Sequence, residues 1–174
     1  MQPLMLHREC DLGPIRAVTA GITATPNGFK TRFHLDGPAD RIALPAKAPS
    51  ARADDLWKTT CCEVFWQPVG GAPYYEFNFS PSGQWAAYAF DSYRENMQDL
   101  PVDAISVAPS IGDRAVSLQI EVVADLPAPA QVGLSAVVQH EGGDLQYWAL
   151  AFGPGRPDFH SEACRQLIVE RPDL

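Results

Sequence analysis

A chain of 174 residues with 13 basic and 21 acidic side chains carries a net charge of -8, so its surface repels phosphate backbones and anionic membranes, which argues against either as a partner. Hydrophobic residues at 46% and charged residues at 20% match a globular chain, while 16 prolines and 13 glycines point to many turns rather than to disorder. The length fits one domain over 1–174, and no stretch approaches the roughly 20 apolar residues that span a bilayer. The opening MQPLMLHRECDLG has neither a basic leader nor an apolar core, and so reads as cytoplasmic.

In chain order, short runs rich in β-branched and aromatic residues, each bounded by Gly, Pro, Asn or Asp, predict strands. The first three are Arg16–Ala24, Phe29–Leu35 and Arg41–Leu44. The proline-spaced connector Pro45–Ala53 then opposes both helix and central strand, and reads as a crossover between sheets or as one wall of a site. Strands follow at Cys61–Gln67, Tyr74–Phe79 and Gln84–Asp91, with Ser92–Leu100 as the best, and short, helical candidate. Beyond it lie Ala104–Ala108, Val116–Val123, Leu134–His140, Gln146–Phe152 and Gln166–Val169, with a second irregular connector at Leu126–Ala130. These elements predict an all-β fold: two packed antiparallel sheets in a β-sandwich with very little helix. Adjacent strand residues point to opposite faces, which argues against a shared metal or a bond at Cys61 and Cys62; a pairing of Cys10 with Cys164 stays open.

Aromatic residues concentrate between Ala53 and Arg94, which hold three of the four Trp and four of the five Tyr. SPSG at Ser80–Gly83 predicts a hairpin, because Pro81 presets φ and Gly83 accepts a positive one. In its first strand Tyr75, Phe77 and Phe79 share a core face, and Tyr74, Glu76 and Asn78 share the other. With Pro81–Ser82 as a two-residue loop, Asn78 lies opposite Trp85 and Glu76 opposite Ala87, turning Tyr88 and Phe90 to the core; a three-residue loop with a bulge at Gly83 moves Trp85 to the core instead. Glu63, on the preceding strand, can join Glu76 and Asn78 on one face. Two carboxyls, an amide and an indole suit a sugar, whose hydroxyls take hydrogen bonds while its C–H face takes a ring. Arg94 supplies a charged donor or neutralises a glutamate. The bland alternative for Glu63, Glu76 and Arg94 is a structural ion-pair network. Near the chain's end, YWAL at 147–150 and GRPDFH at 155–160 form a strand and a polar turn, where Asp158 and His160 stabilise the turn or meet a ligand.

On ARADDLWKTTCCEVFW, YYEFNFSPSGQWAAYAFDSYR, YWAL and GRPDFH, the chain resembles bacterial DOMON-like proteins related to family 9 carbohydrate-binding modules, over nearly its whole length. That resemblance implies an immunoglobulin-like or jelly-roll-like sandwich without catalytic activity, a sugar held between tryptophan rings, and a place for calcium. It marks Trp57, Glu63, Glu76, Asn78, Trp85, Arg94 and Trp148 as ligand-facing. Other DOMON domains bind haem through Met or His, but Met1, Met5, Met97, His7, His34, His140 and His160 suggest no pair on one face. A second class of function is an enzyme using Glu63 and Glu76 as acid and base on a small polar metabolite, although no nucleophile or phosphate motif supports it. A third is a protein-interaction module that uses its aromatics as an interface.

Overall fold

The computed structural model describes residues 1–172. Strands dominate it, and the helical elements among the described residues are three single 3₁₀ turns, Ala39–Arg41, Leu56–Lys58 and Glu162–Cys164. The strands are β1 (Gln2–Leu6), β2 (Ala17–Thr25), β3 (Gly28–Asp36), β4 (Cys61–Pro68), β5 (Tyr74–Phe79) and β6 (Trp85–Phe90). They continue with β7 (Gln98–Asp99), β8 (Ala104–Gly112), β9 (Ala115–Val123), β10 (Ala130–Gln139), β11 (Leu145–Ala149) and β12 (Leu167–Val169).

All pairings between these strands are antiparallel, in the order β7-β6-β5-β4-β10-β11-β1-β2-β3-β9-β8, and β12 pairs β10 beyond the end of β11. The expected pair of separate sheets is therefore one continuous sheet that curls on itself. β1 makes the connection, pairing Met5 with Ala149 of β11 on one side and Leu4 with Val18 of β2 on the other. Across the interior the two halves meet ring to ring: Phe29 of β3 stacks on Trp66 of β4 at 5.7 Å and stands edge-on to Phe77 of β5 at 5.1 Å. Pairs of this kind add about 0.5–1.5 kcal/mol beyond the area they bury.

Alternation explains most of the sheet. β3 turns Phe29, Phe33 and Leu35 inward and Lys30 and Arg32 outward, and β9 buries Val116, Leu118, Ile120 and Val122 between its polar positions. β4 breaks that rule, since every residue from Cys61 to Gln67 is buried. A strand buried on both faces needs a second layer over its outer side. Here that layer is the segment around Phe159 and His160, packed on Phe65, Tyr74, Phe90, Val137 and Ala149.

Three local expectations are corrected. Arg41–Leu44 is no strand but the end of a 3₁₀ turn and a single bridge from Ile42 to His140. Ser92–Leu100 is not helical: Arg94 and Asn96 take the left-handed backbone (φ 56° and 54°), which ends any helix, and the chain reverses at Ser92–Glu95 before β7. The hairpin after β5 adopts the bulged alternative. Gly83 N–H donates to Ser80 O at 3.0 Å, Ser80 N–H donates to Gln84 O at 2.9 Å, and Gly83 sits at φ 97°, a three-residue loop with a left-handed glycine. Phe79 accordingly pairs with Trp85, Asn78 with Ala86 and Glu76 with Tyr88. The connector Pro45–Ala53 runs along this hairpin, Ala48 N–H donating to Ser82 O and Ala53 N–H to Trp85 O. All four cysteines, Cys10 and Cys164 included, are free thiols.

Candidate functional site

The outer face of the β6-β5-β4-β10-β11 half carries a cleft of about 630 Å³. Period-two geometry sets its floor. Glu63 and Phe65 on β4, Tyr74 and Glu76 on β5, Tyr88 and Phe90 on β6, and Val137 and Tyr147 on β10 and β11 all point to this side. Trp57, on the 3₁₀ turn before β4, forms part of the rim and is 51% exposed. Arg94 and Met97 line the cleft from the loop before β7, and Pro157 to His160 line it from the segment after β11.

Of the seven residues marked from the sequence, Trp57, Glu63, Glu76 and Arg94 line this cleft. Asn78 lies on the same sheet face, wholly buried behind Glu76, with its amide N–H donating to Glu76 Oε1 at 2.9 Å and its Oδ1 left without a partner. Trp85 and Trp148 are elsewhere. The bulge at Gly83 turns Trp85 inward beside Phe79, with the Arg52 guanidinium 5.2 Å from its ring centroid. Trp148 pairs with Ala136 of β10, whose side chain points to the interior, and is 4% exposed in the core.

Tyr88, Phe90, Tyr147, Phe159 and His160 also line the cleft, as do Asp54, Asp55 and Asp99. The same one-residue register that misplaces Trp85 hides Tyr88 and Phe90. Pro81 carried the signal, because a two-residue hairpin loop needs a positive φ at its first position and proline is fixed near -65°. His160 is carried by a loop whose docking no local pattern announces.

The imidazole of His160 is wedged edge-on among Phe65, Tyr74 and Phe90, at centroid distances of 5.1, 5.9 and 5.2 Å. Burial, followed by the Arg94 charge, lowers its pKa from 6.5 to about 4, so it is neutral near pH 7. Its Nδ1 lies 2.8 Å from the Tyr74 hydroxyl, whose oxygen also accepts the Arg94 backbone N–H at 3.1 Å. With no other acceptor among its hydrogen-bond partners, the Tyr74 O–H donates to Nδ1 and leaves the ring proton on Nε2. Nε2 faces Glu76 Oε2 at 3.5 Å.

Glu63 and Glu76 are diagonal neighbours on paired strands and are 3% and 5% exposed. Burial raises both pKa values; the neighbouring Glu76 raises that of Glu63 further while Arg94 and the Ser135 hydroxyl partly lower it, and the Asn78 hydrogen bond and Arg94 partly lower that of Glu76. Arg94 itself is bound to Asp158, Nη2 to Oδ1 at 2.9 Å, and Asp158 also accepts the Tyr93 hydroxyl at 2.6 Å. That ion pair fastens the loop before β7 to the segment after β11 across one end of the cleft. No group of three or more candidate metal ligands is found among the described residues.

Fold and cleft together define a class: a nearly all-β antiparallel protein with a polar floor and aromatic walls on one sheet face. No family model matches the chain, and no curated protein matches its sequence. Among solved structures it is similar to a "putative carbohydrate-binding protein" of Bacteroides uniformis, with a TM-score of 0.64 and 16% identity, over 97% of this chain and 85% of that one. At that identity the likeness is one of fold.

Proposed function

We propose that the chain is a carbohydrate-binding module of the DOMON-like kind, holding its ligand without converting it in the cleft over Glu63 and Glu76. The observation that carries this reading is two buried carboxyls on a floor walled by Trp57, Tyr88, Phe90 and Tyr147. Carboxyls accept hydrogen bonds from adjacent hydroxyls, and rings cover the apolar face of a pyranose. The designation of the Bacteroides protein supports it at the level of fold. A thermal-shift panel of mono- and disaccharides tests it. A sugar at 100 times its Kd stabilises the protein by about 2.7 kcal/mol, and Trp57→Ala and Glu76→Gln should each reduce the shift. A panel in which no sugar moves Tm defeats the reading.

One observation favours a second reading. Burial raises the pKa of both acids, the direction a general acid needs, and a Tyr74–His160 pair stands behind Glu76. Sugars incubated with the protein separate the two: recovery unchanged supports binding, and turnover abolished by Glu63→Gln or Glu76→Gln supports catalysis.

A further inference from the structure

Six carboxyl groups line the cleft, from Asp54, Asp55, Glu63, Glu76, Asp99 and Asp158, against the single guanidinium of Arg94. The four aspartates are answered by the protein. Asp54 accepts the Tyr88 hydroxyl at 2.7 Å, Asp55 pairs with Lys58 at 2.9 Å, Asp99 with Arg52 at 3.3 Å, and Asp158 with Arg94 at 2.9 Å. The two glutamates on the floor have no cation bound to them. Glu76 accepts from a neutral amide, and its other oxygen faces an imidazole that is neutral near pH 7. Glu63, though 3% exposed, has no ion pair among the described residues; its neighbouring donor is the neutral Ser135 hydroxyl, and its carboxyl lines the cleft. Burying an acid without a cationic partner is expensive, and a fold that retains one at the floor of a cleft leaves its complement to the ligand.

We propose that the cleft takes a ligand bearing a positively charged nitrogen, seated against Glu63 and Glu76; on the carbohydrate reading, on which this inference rests, the ligand is an amino sugar. An ammonium supplies both what the floor lacks, a charge and several N–H donors, whereas a neutral hydroxyl supplies only the donor. The walls agree with it. Trp57, Tyr88, Phe90 and Tyr147 offer π faces that attract a cation as well as a pyranose ring. Burial and mutual repulsion raise the pKa of Glu63, the same deficit of positive charge seen from the proton's side. Arg94 offsets that deficit only in part, because its guanidinium is bound to Asp158.

Calorimetry near pH 7 on the whole chain compares glucose, glucosamine and choline, with the wild type, Glu63→Gln and Glu76→Gln. Glucosamine should bind at least about tenfold more tightly than glucose, the worth of one charge-assisted hydrogen bond, and the preference should collapse in Glu63→Gln. The three-ligand comparison on the wild type decides the matter even if a variant fails to fold. Choline bound as tightly as glucosamine supports the cation and moves its source from an amino sugar to an alkylammonium group, which defeats the sugar reading alone. Glucose bound as tightly as glucosamine overturns the cation and leaves the sugar reading standing. No binding of any of the three overturns both.

Discussion

Glu63 sits on a strand where geometry gives it no alternative to burial: Asn78 is opposite on one side, Ser135 on the other, and Phe65 follows on the same face. A buried acid whose folded pKa lies above its unfolded value holds its proton more tightly in the folded state. Its contribution is favourable at low pH and is lost as pH rises past the unfolded value of about 4.3. Glu63→Gln keeps the shape and removes the titration, so its Tm should exceed that of the wild type near neutral and alkaline pH and converge with it in acid. A variant Tm below that of the wild type near neutral pH and converging with it in acid would show that the carboxylate is stabilised by a contact instead. The tryptophans divide in the opposite sense. Trp57→Ala should weaken ligand binding and leave stability nearly unchanged, since half of that residue is exposed, whereas Trp85→Ala should destabilise the fold and spare binding. That Glu63, Glu76 and Asn78 share a face was legible in the sequence, because a period of two needs no tertiary information. Tyr88 was not, because its face depends on one residue of register beyond a turn.

At the scale of elements, the β5–β6 hairpin carries that lesson. Its inward face, with Phe77 and Phe79 fully buried, follows from alternation, and truncating Phe77 to Ala should cost about 3–5 kcal/mol in urea denaturation. A loss below about 1 kcal/mol would show that the rings pack less closely than Phe29, Trp66 and Phe77 imply. Gly83 decides the other face. At φ 97° a Cβ is strained, so Gly83→Ala should cost about 1 kcal/mol, with Asn tolerated better than Ala because it more readily adopts the left-handed backbone. The strands of β2, β3 and β9 were readable within a residue or two, since long alternating runs override local ambiguity. The short β1 and β7 were not: QPLML contains a proline and little β-branching, and both strands form only because a neighbour offers an edge.

The whole molecule distributes its duties between the two halves of the curled sheet. β3 and β9 show charged residues outward in a plain alternation, while the β4-centred side is overlaid by the segment after β11 and holds the cleft. His160 joins that segment to the sheet, and its burial makes the joint sensitive to acid. Its folded pKa of about 4 lies below the unfolded 6.5, so its stabilising contribution is complete above 6.5 and is lost as pH falls toward 4, about 3 kcal/mol in all. Glu63 and Glu76 act with the opposite sign, since protonation relieves their burial. Arg94, Arg165 and Asp158 stay charged throughout most of that interval and shift the balance little. The wild type should therefore lose less stability between about pH 6.5 and 4 than the His160 contribution alone. Glu63→Gln removes one opposing contribution and should steepen the loss on acidification, while His160→Gln should flatten it or reverse its sign. Urea denaturation of the three proteins at matched ionic strength across that interval measures the slopes. If Glu63→Gln and His160→Gln titrate alike, the segment after β11 is not held to the sheet through a neutral imidazole.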